Sequence, residues 1–301
     1  MEPGVVVITH NSAEVLPACL AAAAGRCGGL VVIDNASTDG TAEIARAGGA
    51  RVVVNRENRG FAAAANQGLA LLEREFVLLL NPDAVLETSL EPLVRACATP
   101  GVGAAGGKLR GADGLPQRGF TLRRFPGAAE LAAEALLVNR VWPSNPLNRR
   151  YRCLDADLNQ PQDAEQPAGA FLLIRREAWR QVGGFDESFF PVWFEDVDFC
   201  YRLRQAGWRI RYEPGAVAWH RGGHAVLRMP WEERQAAWYG SLLRYAEKHL
   251  RPRQVRMLGF AILVGVSLRV WPAVAAERSW RPLRSCLRVL RLAASRCCRS
   301  G

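Results

Sequence analysis

Short apolar runs at residues 5–9, 30–34, 51–55 and 76–80 recur along the first hundred residues, each ended by a polar or turn-forming side chain. Valine, isoleucine and leucine fill them with almost no alternation, so each is expected to be a strand buried on both faces. Between them, alanine-rich stretches at 13–24, 41–47 and 61–73 have the length and composition of helices. Thr38 or Asp39 is expected to cap the second, because either offers a side-chain oxygen to the free N–H groups of its first turn. This alternation predicts an α/β fold, a Rossmann-like, mostly parallel sheet flanked by helices, with ligands at the carboxyl ends of the strands. Asp34, Asn81 and Asp83 fall at such ends.

The pattern then loosens. Residues 111–167 are rich in glycine, proline and arginine, with one helical stretch at 128–139 and loops at 142–146 and 160–166. Order is expected to return with a strand at 168–174 and helices near 177–182 and 195–206. A strand pair at 208–212 and 216–219 and a long helix over 231–250 follow. In the tail, the apolar run 258–268 falls short of the ~20 residues that a membrane-spanning helix needs. Arg269 and Pro272 follow it, and the flanking arginines with Trp271 and Trp280 suit a helix lying in a membrane interface. A second stretch, 281–299, sets Leu283, Leu287, Leu290 and Ala294 at helical spacing among arginines. The expected division is a catalytic domain over 1–250, in halves 1–110 and 111–250, with a basic amphipathic extension over 251–301.

Charge sharpens this division. The chain of 301 residues is 49% hydrophobic and 23% charged, a globular composition. Residues 250–301 hold eleven arginines, no lysine and one acid, Glu277, which equals the whole net charge of +10 and leaves residues 1–249 neutral. A nucleic-acid enzyme would carry its basic footprint around its working groove, so nucleic acid is not an expected partner. A neutral body with a basic tail points to an anionic membrane surface, with a homodimer or a helix packed on the catalytic domain as the other readings. The N-terminus enters an apolar strand without a signal-peptide pattern, and the eight cysteines are scattered without a CxxC pair. Both favour a cytoplasmic protein with reduced thiols, which the basic tail would hold at the inner face of the membrane.

Three places carry candidate chemistry. Asn81-Pro82-Asp83 drives an apolar strand straight into a carboxylate. Glu195, Asp196 and Asp198 stand among aromatic residues, where burial and mutual repulsion raise a pKa. His220 ends a strand in an imidazole, a good ligand for a divalent transition metal. Each alone is open to a structural reading as a turn residue, a helix N-terminus or a core histidine; their coincidence favours a site.

On these and further motifs the sequence resembles glycosyltransferase family 2, in particular its bacterial rhamnosyltransferase-like branch. Residues 5–12 match the family's first strand and turn, and Val31-Val32-Ile33-Asp34-Asn35-Ala36-Ser37-Thr38-Asp39 its nucleotide-binding strand and loop. Residues 58–68, from Asn58 through Gly60 and Asn66, match the helix-opening motif near the diphosphate, and Asn81-Pro82-Asp83 takes the place of the DxD motif. Gly169-Ala170-Phe171, residues 183–187 and Glu195-Asp196-Val197-Asp198 match the acceptor side, and His220 the late metal-binding histidine.

The resemblance implies a GT-A fold and an inverting transfer from a nucleotide-diphosphate sugar, with dTDP-rhamnose the family-level lean. The acceptor would be a cell-surface glycan or polyprenyl-linked molecule. Asp34 would hydrogen-bond the base, Thr9 and Asn11 would line the nucleoside pocket, and Asn58, Gly60, Asn66 and Asn81 would complete the donor side. Asp83 and His220 would hold Mg2+ or Mn2+. Asp196 would be the general base, with Glu195 and Asp198 as alternates. Two departures stand out: the DxD position offers one carboxylate, and His224 stands where relatives often carry serine, as a solvent-facing loop residue or a phosphate contact. A nucleotidyltransferase and a degenerate sugar-binding scaffold are the rival readings.

Overall fold

The computed structural model describes residues 2–223, 228–277 and 281–298. Four of the apolar runs form β1 (Gly4–Thr9), β2 (Leu30–Asp34), β3 (Arg51–Val54) and β4 (Phe76–Leu80). They lie parallel in the order β3–β2–β1–β4 at one side of a nine-stranded sheet. Successive residues of β1 enter opposite cores, Val5 and Val7 on one face and Val6 on the other, which is why the run is apolar until it ends at Thr9. Helices α1 (Leu16–Ala23) and α2 (Thr41–Ala47) cover the first face, and α3 (Gly60–Leu71) covers the second. Gly68 lets α3 lie close to β1, since a Cβ there would run into Val6. Gly40, at φ +80°, takes the N-cap position of α2, while Asp39 supplies the expected side-chain oxygen, accepting the first-turn N–H of Thr41 (3.2 Å) as well as the N–H of Ala13 (3.1 Å).

Beyond β4 the sheet becomes mixed. It adds β5 (Ala84–Leu86), α4 (Glu91–Ala98) on the first face, and β6 (Val102–Arg110). The irregular segment contributes β7 (Leu122–Arg123), α5 (Ala128–Ala135), α6 (Val138–Val141) and α7 (Pro146–Tyr151). The single helix expected over 128–139 is therefore two, broken at Leu137, whose φ of +65° no α-helix accommodates. Next come β8 (Gln162–Asp163), β9 (Gln166–Pro167), β10 (Phe171–Arg175), α8 (Arg176–Gln181) and α9 (Glu195–Gln205). Strand β10 inserts antiparallel between β4 and β6. The strand pair expected at 208–212 and 216–219 is one strand, β11 (Arg209–His220), parallel to β6 and antiparallel to β5. Pro214 and Gly215 produce only a register shift between Glu213 and Val217.

Three helices close the described chain: α10 (Trp231–His249), α11 (Pro252–Glu277) and α12 (Arg281–Cys298). They build a third apolar cluster with α5 and the start of α9, in which Leu258, Ile262 and Val266 of α11 meet Leu131, Val197 and Leu242. The apolar run 258–268 thus has one side inside a core, and the extension shares that core with the catalytic body. Among the described residues no helix is long and apolar enough to cross a membrane.

Candidate active site

The antiparallel pairing of β5 with β11 sets His220 opposite Ala84, so the turn after β4 meets the end of β11. Asp83 Oδ1 lies 3.5 Å from His220 Nε2, with the two residues only 4% and 1% exposed. Gln117 grips the histidine twice: its Oε1 is 2.9 Å from Nδ1, and its Nε2 donates to the His220 carbonyl at 2.8 Å. Phe120 stacks on the imidazole at 5.2 Å between centroids. An amide oxygen only accepts, so this network assigns the proton to Nδ1 and the lone pair to Nε2. That Nε2 is buried without a hydrogen-bond partner, a cost that a cation beside Asp83 would remove. Asp83 and His220 therefore fit a divalent metal. Among the described residues no cluster of three His, Cys, Asp or Glu side chains is found.

Asp196 stands in the first turn of α9, after Phe194 at φ +67°. Its Oδ2 accepts from Gln166 Nε2 (3.0 Å) and from the Gly169 N–H (3.2 Å). The next residue, Ala170, accepts the Asn81 N–H at 3.0 Å. Adjacent residues thus tie Asp196 to the turn that carries Asp83, and a Cβ on Gly169 would crowd Asp196 at 3.0 Å.

The neighbouring acids differ in kind. Glu195 is buried, its Oε2 has no partner, and burial followed by the Asp196 charge pushes its carboxyl well up. Asp198 is buried too, which pushes its pKa up, but His249, Lys248 and Arg202 together hold it below the usual range. Its Oδ1 lies 2.7 Å from His249 Nε2 and 2.8 Å from Lys248 Nζ, and its Oδ2 2.7 Å from Arg202 Nε. Asp198 fastens α9 to α10.

On the donor side, Asp34 is fully buried and accepts from Thr9 Oγ1 (2.8 Å) and the Ser37 N–H (3.0 Å). Asn11, at φ +51°, accepts the Thr38 N–H at 2.8 Å. Together these bonds shape the loop after β2 against the end of β1. Asn58 accepts the Gly60 N–H at 2.9 Å, and Gly60, at φ +80°, lies under Phe190 with no room for a Cβ. The amide of Asn66, expected near the donor, is bonded within the protein. It donates to the Phe185 carbonyl (2.9 Å) and Glu187 (3.0 Å) and accepts from Trp179 (3.2 Å) and the Phe185 N–H (2.8 Å). It joins α3 to the segment 184–187. His224 lies outside the described residues.

Four residues at the site carry no signal in the sequence. Gln117 and Gln166 come from the irregular segment. Arg221 donates its backbone N–H to the Asp83 carbonyl at 3.1 Å and pairs with Glu14. Arg228 also pairs with Glu14 and donates to the Asn11 carbonyl. The two guanidinium groups thus stand beside the ends of β1 and β4.

Residues 4–183 match the family described as Glycosyl transferase family 2, and residues 159–294 match Glycosyl transferase family group 2. A similar curated protein is the N-acetylglucosaminyl-diphospho-decaprenol L-rhamnosyltransferase of Mycobacterium tuberculosis. It is 31% identical over 267 residues, covering 81% of this chain and 84% of its own. Among solved structures, the mannosyltransferase PcManGT from Pyrobaculum calidifontis, in complex with GDP-Man and Mn2+, superposes with a TM-score of 0.57 at 18% identity. That match covers 98% of this chain and 86% of the other. S. aureus TarS 1-349 in complex with UDP-GlcNAc also reaches 0.57, at 17% identity, over 98% and 81% of the two chains. At these identities the likeness is one of fold.

Proposed function

The chain belongs to glycosyl transferase family 2 and is a glycosyltransferase of GT-A fold, and from that premise we propose that it inverts a sugar from a nucleotide-diphosphate donor onto a hydroxyl of a lipid-linked or cell-surface glycan. The observation that carries this reading is the tie through Gly169 and Ala170 between the Asp196 carboxylate and the turn holding Asp83 beside His220. A single displacement at an anomeric carbon needs the acceptor's proton taken and the leaving group's charge offset, and a base and metal ligands so joined would supply both.

Asp196 accepts the proton of the acceptor hydroxyl. The hydroxyl oxygen bonds to the anomeric carbon from the face opposite the leaving group, and the bond to the diphosphate breaks with its electron pair on the departing oxygen. Gln166 and Gly169 hold Oδ2 of the base, and base catalysis of this kind contributes ~10²–10⁴-fold. Asp83 and His220 would hold Mg2+ or Mn2+, which when bound offsets the charge growing on the nucleoside diphosphate. Arg221 and Arg228 add positive charge at the same end of the sheet. Thr9, Asn11 and Asp34 form the nucleoside side, Asn58, Gly60 and Asn81 the diphosphate side.

The name of the similar mycobacterial enzyme supports rhamnose as the sugar and a polyprenyl diphosphate sugar as acceptor; dTDP as its carrier, work at the inner face of a membrane and the basic extension as the contact complete the reading, with a homodimer as the lesser one. The test is a donor panel of dTDP-rhamnose and UDP-hexoses offered with a polyprenyl diphosphate N-acetylglucosamine acceptor. Transfer of rhamnose with inversion is expected. Transfer from a UDP-hexose alone would overturn the donor, and nucleotidyl transfer without sugar transfer would overturn the reaction.

A further inference from the structure

Large apolar side chains left in water are concentrated in two places. Val141, Trp142 and Leu147 stand out on α6–α7, and Met257, Phe260 and Leu268 on α11, at 85, 56, 37, 68, 67 and 60% exposure. Elsewhere the described residues leave only Val54, Leu115, Phe190 and Leu287 comparably bare. At about 100° per residue, Leu258, Ile262 and Val266 of α11 share the side that enters the third cluster. Met257, Phe260, Val264 and Leu268 fall on the opposite side. A helix with two apolar faces and one buried has a second environment to satisfy.

The two exposed groups are linked through α5, which contacts α6, α7 and α11. Helix α5, which leads into α6, packs on α11 so closely that Gly265 has no room for a Cβ against the Ala135 carbonyl. Arg269 fixes the contact, donating at 3.1 Å to the carbonyls of both Glu134 and Ala135 at the end of α5. The charge of this face has one sign. Residues 136–152 and 250–276 contain no aspartate or glutamate, while Arg140, Arg150, Arg251, Arg253 and Arg256 are exposed along them. An isologous dimer through such a face would set arginine against arginine. An anionic bilayer offers what the face lacks, acidic headgroups over an apolar layer.

We propose that the outer side of α11 and the α6–α7 segment form one membrane-docking face, with Trp142, Phe260 and Leu268 entering the acyl boundary and the exposed arginines meeting acidic headgroups. The proposal rests on the reading of a lipid-linked acceptor and locates the surface that would bring the site to it. No helix of the face spans, so the chain lies on the leaflet.

The test is sedimentation of the full chain with phosphatidylglycerol-rich and pure phosphatidylcholine vesicles, without donor or acceptor. The Trp142→Ser/Phe260→Ser/Leu268→Ser variant is run beside it, its fold checked by thermal melting. The wild type is expected to sediment with the acidic vesicles, and the variant to bind them at least about tenfold more weakly. Both should hydrolyse donor, or glycosylate a short water-soluble acceptor, at the same rate. That assay judges the transferase reading on its own. Equal sedimentation of wild type and variant, or none by either, overturns the docking face. A dimer seen by light scattering and abolished in the variant would give the face to a second copy instead.

Discussion

Gln117 holds His220 at both ends of the residue, with its amide oxygen on Nδ1 and its amide nitrogen on the backbone carbonyl. The ring is thereby fixed in the tautomer that leaves Nε2 open toward Asp83. Gln117→Leu keeps the volume and removes both bonds. The expected result is a ~10–100-fold loss in Mn2+ affinity, the range seen for partners of metal-ligating histidines. Mn2+ titration by electron paramagnetic resonance, in the presence of nucleoside diphosphate, measures it. Unchanged affinity would return Gln117 to a packing role.

His220→Ala removes the proposed ligand itself. The Mn2+ concentration for half-maximal rate should rise more than in Gln117→Leu, because the partner only orients what the imidazole supplies. A variant with the wild-type metal requirement would make His220 a core residue.

Glu195 leads to a pH prediction. Its carboxyl is raised well above the ordinary 4.5 by burial and then by Asp196. The native chain therefore keeps a proton that the unfolded chain releases above that value. The stability this group contributes is present at low pH and is lost as pH rises toward the raised pKa. Glu195→Gln mimics the protonated acid at every pH. As pH rises above the ordinary 4.5 the urea midpoint of the wild type should fall relative to that of the variant. Parallel curves would show an ionised, compensated Glu195.

Asp198 should matter to stability first. Asparagine in its place leaves Arg202, Lys248 and His249 around a neutral amide. A loss of about 3–5 kcal/mol in urea unfolding is expected, as for one partner removed from a buried ion pair. A loss under ~1 kcal/mol would mean that the network is solvated like a surface pair.

The parallel half of the sheet was legible because strands covered on both faces must be apolar along their lengths, as β4 is and as β1 and β2 are up to their ends at Thr9 and Asp34. Strand β6 was hidden by Gly103, Gly106 and Gly107. A Cβ at Gly106 would meet Pro167 and one at Gly107 would meet Phe171, so close packing erased the side chains that mark a strand. Helix α11 was legible as apolar, but not which side had a protein partner. Asp83 and His220 came forward as strand-end residues, and the pairing of β5 with β11 brings them together. Gln117 and Gln166 could not, since a glutamine in an irregular segment has no periodicity and its partners lie 103 and 30 residues away. The bonds of Asn66 were hidden for the same reason: its partners are more than 110 residues distant.

The central claim is that Asp196 is the base. Asp196→Asn retains the shape between Gln166 and Gly169 and removes the group that accepts the proton. Single-turnover transfer to a lipid-linked acceptor, at saturating donor and metal, measures the effect directly. The account predicts a fall of ~10²–10⁴-fold in rate with donor affinity unchanged. Transfer at close to the wild-type rate would contradict it and move the base to another group.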